Sequence, residues 1–185
     1  ISKVRGTPVA HRMSDAAVER YTALAPTRPE AAIAIAGLLA ADGRTTEAFA
    51  KLEQLSRYFP LRVRVLAGLS ALRSGAGSEV QFATVHGWLR DCLRDDPESI
   101  ALRLSEAEFF ALQQDLPNAQ KAYEWVLARD PRNVTALNNL AWALAADPQS
   151  VTHAEQCIER AMRELGVTGE LLDTRARIRI TAKQF

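Results

Sequence analysis

His153 and Cys157 stand four residues apart in a helical pattern, a spacing that sets an imidazole and a thiol on one face as two metal ligands. A site needs further donors, and the other cysteine, Cys92, is far away in the chain; neither forms a CxxC pair or a disulfide framework. Cys157 falls on a packing position and His153 in the first turn of its helix. The two read as a buried thiol and a polar surface residue, and no metal is expected. Glu106 and Glu108 suggest paired carboxylates, but two steps along a helix turn them apart by about 200°. The Gly-Ala-Gly of 75–77 is a loop and lacks the spacing of a phosphate cradle. Neither a zinc-protease helix nor a nucleophile elbow is present. Arg175, Arg177 and Arg179 could touch phosphate, but they read better as the solvated face of an end helix. The expectation is a chain with no catalytic residue, no metal and no cofactor, hence not an enzyme.

Composition narrows the class. Of 185 residues, 48% are apolar, enough for a folded core and too many for disorder. A net charge of +1 argues against a dedicated nucleic-acid binder. The longest apolar run, AAIAIAGLLAA at 31–41, is about half a membrane span, so no span is expected. Sparse Gly and Pro with 6% aromatic residues suit helices better than a sandwich. The chain starts at Ile1 and stops at Phe185 on an unfinished pattern, as an excised fragment would.

The elements that position these residues follow from self-similarity. Stepping back from a proline by five, eight and twelve residues gives one pattern several times. Pro29 gives Leu24, Tyr21 and Ala17; Pro60 gives Leu55, Leu52 and Ala48; Pro97 gives Cys92, Leu89 and Val85; Pro131 gives Val126, Tyr123 and Ala119. A further copy has Ala154, Ile158 and Ala161, with Gly166 in place of the proline. That is one helix face followed by its stop signal, at periods of 31, 37, 34 and 35 residues. Another helix lies before each: Ala32, Ile35, Ala36 and Leu39, then the turn at Gly43; Ala107 and Phe110 within 100–113; Leu137, Leu140, Ala141 and Leu144 within 134–146. Ser78-x-x-Gln81 and Thr152-x-x-Glu155 are capping-box patterns, and Pro117 suits a first turn.

A helix–turn–helix unit of about 34 residues, with the small Ala36, turn Gly43, small Ala48 and terminal Pro60 of PEAAIAIAGLLAADGRTTEAFAKLEQLSRYFP, resembles the tetratricopeptide repeat (TPR) family. The resemblance covers roughly residues 14–185. It implies an all-α fold, a right-handed α-solenoid of antiparallel helix pairs with about four units, partial end repeats and about nine helices. Residues 1–13 are expected to be a linker, and 14–185 a single domain. The unit 61–97 absorbs its extra length in the loop 74–79, and either Leu66 with Leu69 or Val65 with Leu72 faces inward. The unit 98–131 places Arg103 and Glu106 where apolar residues are usual. Residues 14–25 form a second helix without a first, and 170–184 a first helix without a second. The alternation RARIRI would also suit a strand.

In a stacked array the first helices line the concave side. The resemblance therefore implies a groove of Ile33, Ala34 and Gly37; Leu104, Ser105 and Glu108; and Asn138, Asn139 and Trp142. The two amides and the tryptophan stand off the Leu137–Leu144 stripe, and a groove facing a partner explains them. Some TPR domains clamp a C-terminal carboxylate, and Asn139 matches an asparagine of that subset. The basic residues of such a clamp are missing from 30–41, so a peptide or helix with apolar side chains fits better. The implied function is a protein–protein interaction scaffold, with self-association through the incomplete end repeats as a further expectation. Alternatives are a non-catalytic segment of a larger enzyme, or a bacterial envelope assembly or export factor; LNNLAWALA with LLDTRA is similar in wording to bacterial TPR proteins.

Overall fold

The computed structural model describes residues 8–74 and 77–183. They form ten α-helices and two short 3-10 turns, with no strand among the described residues. The helices are α1 (Pro8–Leu24), α2 (Ala31–Ala41), α3 (Thr45–Gln54), α4 (Leu61–Leu72), α5 (Glu79–Asp95), α6 (Ile100–Leu112), α7 (Leu116–Arg129), α8 (Val134–Leu144), α9 (Val151–Leu165) and α10 (Gly169–Lys183). The RARIRI segment is therefore helical. The chain divides into two compact units, residues 1–97 and 98–185.

In the first unit α2 packs against α1, α3 and α4. Its apolar composition all round follows from having three neighbours. Ala32, Ile35, Ala36 and Leu39 are fully buried with Ala48 and Leu52 of α3. The alanines let the helix axes approach, and Ile35, Leu39 and Leu52 each add about 1.5–3 kcal/mol by leaving water. Gly43, at φ 77°, turns the chain between α2 and α3, a backbone conformation that only glycine enters without strain. In α4, Val65, Leu69 and Leu72 face inward and Leu66 is exposed. A step of 32 residues, from Pro29 to the residue after Pro60, brings Gly68 to the place of Ala36. There even a methyl would be too large: an added Cβ would lie 2.6 Å from Val85 Cγ2. The capping box on α5 is formed, with Ser78 Oγ accepting from Gln81 N–H and Gln81 Oε1 from Ser78 N–H.

Helix α1 differs from expectation in two ways. It begins at Pro8, so residues 8–13 are helix and not linker; residues 1–7 lie outside the described residues. Among its described side chains Val18 is buried, as is Ala25 just past its end, while Tyr21 and Leu24, the counterparts of Leu52 and Leu55, are exposed. Later copies bury that stripe against the preceding helix, whereas α1 turns its other side to α2.

In the second unit Ala107, Ala119, Tyr123, Val126, Leu137, Leu140, Ala141, Ala154, Ile158 and Ala161 make one core, closed by Leu171 and Ile178 of α10. Arg103 and Glu106, polar at packing positions, pair with each other at 2.8 Å. The Arg103 guanidinium lies 5.0 Å from the Trp125 ring centre, and that of Arg129 only 3.5 Å from it. Arg64 stands 5.3 Å over Trp88 in the first unit in the same manner. A long side chain on an indole can replace an apolar packing residue at such a place.

The pairing of helices is visible in its surface ions. Arg62 at the start of α4 meets Asp96 after α5 at 2.7 Å. Glu98 before α6 meets Arg129 at the end of α7 at 2.8 Å. Arg132 before α8 meets Glu164 at the end of α9 at 2.6 Å. Each bond joins the beginning of one helix to the end of the next, so each pair runs antiparallel. These exposed pairs add little stability individually. The second expected capping box is not formed: α9 starts at Val151, which puts Thr152 inside the helix, and Asp147 instead caps the 3-10 turn before it.

Candidate functional site

The expected groove residues divide between the units. In the first, Ile33 and Ala34 are half-buried on α2. Gly37 faces α4, where an added Cβ would come within 3.1 Å of Ser70 Oγ. Its missing side chain thus serves the approach of two helices. In the second, Leu104 is half-buried against the core. Ser105 is buried and its hydroxyl donates to the Ala101 carbonyl at 3.1 Å, which uses it within its own helix. Glu108 is half-buried, close enough to act electrostatically on Tyr123.

The two asparagines behave differently. Asn138 is only 6% exposed and turns toward α10. Its Nδ2 donates to Asn139 Oδ1 at 3.2 Å and to Glu170 Oε1 at 3.3 Å. Both acceptors fix the amide's orientation, because turning it would set oxygen against carboxylate. Its Oδ1 is buried with no hydrogen-bond partner. An unpaired buried carbonyl loses its hydration without compensation, at about 1–3 kcal/mol. Asn139 remains half-buried and hydrogen-bonds the Tyr123 hydroxyl. Burial pushes that phenol up to about 12, while the Asn139 bond pulls it down and Glu108 adds to the rise.

Trp142 is half-buried on α8, and the Arg177 guanidinium of α10 lies 4.5 Å from its ring centre. Arg177 borders an open cleft of about 460 Å³ with Asp173, Ala176, Ile180 and Thr181. Along α8 and α10 a polar chain therefore runs from Tyr123 through Asn139 and Asn138 to Glu170, with the Trp142–Arg177 stack beside it. Sequence reasoning missed Glu170 and the polar role of Tyr123, and placed Arg177 on the solvated face of an end helix without its contact to Trp142. The repeat announces neither Glu170 nor Arg177: they stand 32 residues after Asn138 and 35 after Trp142, at no common step.

The His153–Cys157 pair does not converge. His153 is exposed and Cys157 buried, and the thiol is pushed up by its burial. No cluster of three His, Cys, Asp or Glu side chains suited to a metal occurs among the described residues. None of the described helices is long and apolar enough to cross a membrane. No family model, curated protein or solved structure matches the chain. What the geometry offers a partner is an indole, a guanidinium stacked on it, and an amide at their side.

Proposed function

We propose that this chain is a protein–protein interaction scaffold, a TPR-like α-solenoid segment that holds a peptide or helix of a partner against α8 and α10. The observation that carries the reading is the half-open Trp142–Arg177 stack beside Asn139. An indole supplies rigid apolar area, the property that makes tryptophan a frequent hot spot. A guanidinium over it adds N–H donors that carbonyls or carboxylates can accept from. Asn139 can donate to and accept from a peptide backbone. The Tyr123–Asn139–Asn138–Glu170 chain fixes Asn139 before a partner arrives, which lowers the entropy lost on binding. The antiparallel pairing and the repeated Arg–carboxylate bonds between helix starts and ends support the solenoid part of the reading.

The test is capture of a partner by the chain, its identification, and titration calorimetry with variants. Trp142→Ala should weaken binding about thirtyfold. Asn139→Ala should weaken it about fivefold. Arg177→Ala, at an exposed residue, should weaken it severalfold without touching the core. Cys157→Ala should leave binding nearly unchanged. Normal binding by folded Trp142→Ala overturns the site. If that variant unfolds, Arg177→Ala decides, and normal binding there overturns the site equally.

A further inference from the structure

We draw no further inference here: the strongest candidate, the exposed stripe of Tyr21 and Leu24 on α1 beside an open cleft of about 550 Å³, is an unpartnered helix face, and nothing in the structure shows what covers it.

Discussion

Two glycines in the first unit separate packing from helix propensity. Gly68 lies in α4 and Gly87 in α5. Replacing either by alanine gains about 1 kcal/mol of intrinsic helix stability. The surroundings differ. A Cβ at Gly87 meets nothing within 4 Å, whereas one at Gly68 would lie 2.6 Å from Val85 Cγ2 and 3.3 Å from Trp88 Cζ3. Val85 is fully buried and β-branched, so it has little rotamer freedom to yield. Overpacking of this kind costs about 1–3 kcal/mol. Gly87→Ala should therefore stabilise the chain by about 0.5–1 kcal/mol, and Gly68→Ala should leave it unchanged or weaken it by up to about 2 kcal/mol. The difference between the variants isolates the steric part. Urea unfolding followed by circular dichroism, with midpoints compared at unchanged slope, measures it. Val85→Ala opens the space and should abolish the Gly68→Ala penalty, with a coupling of at least about 1 kcal/mol in the double-mutant cycle. Equal stabilisation by both glycine substitutions would falsify the close approach of α4 and α5 at this point.

Two further outcomes follow from local chemistry. Gln114 occupies, one α6–α7 turn later, the left-handed backbone position of Gly43, with φ 61°; Gln114→Gly should stabilise by roughly 0.5–1 kcal/mol in the same denaturation assay, and a loss would mean that the side chain contributes more than its strain. The Tyr123 proton leaves the unfolded chain near pH 10 but is held in the fold to about 12. Between those values the unfolded state binds fewer protons, so stability, full below pH 10, should fall by up to about 1.4 kcal/mol per pH unit. Tyr123→Phe should flatten that slope, and an unchanged alkaline profile would refute the burial of the phenol.

The second-helix stripes were legible because they need only local geometry. Ala48 with Leu52, Val85 with Leu89, and Ala119 with Tyr123 lie one helical turn apart and are buried wherever a neighbour covers that side. The same spacing misled in α1, since Tyr21 and Leu24 depend on which side meets α2. At the candidate site, Asn139 and Trp142 are half-buried beside the fully buried stripe of Leu137, Leu140 and Ala141. Asn138 was read as a groove residue, but a carboxylate from α10 draws it inside. No local pattern announces that bond, because its partner comes from another helix. Gly37 was misread for a related reason: Ser70, which makes its small size necessary, is a neighbour only in the fold. Arg103 looked like a departure from packing, and the explanation, Trp125, lay on the following helix.

The main packing partners of every helix are those next to it, or next but one, along the chain. This has a kinetic consequence. A chain that closes only short loops to make its contacts gives up little entropy before they form, and proteins of low contact order fold in microseconds to milliseconds. Each unit can begin at any helix pair and extend to its neighbours. Nascent chain should therefore acquire structure pair by pair as it is synthesised, and a nick in the α7–α8 loop should leave α6 with α7 and α8 with α9 able to find each other again.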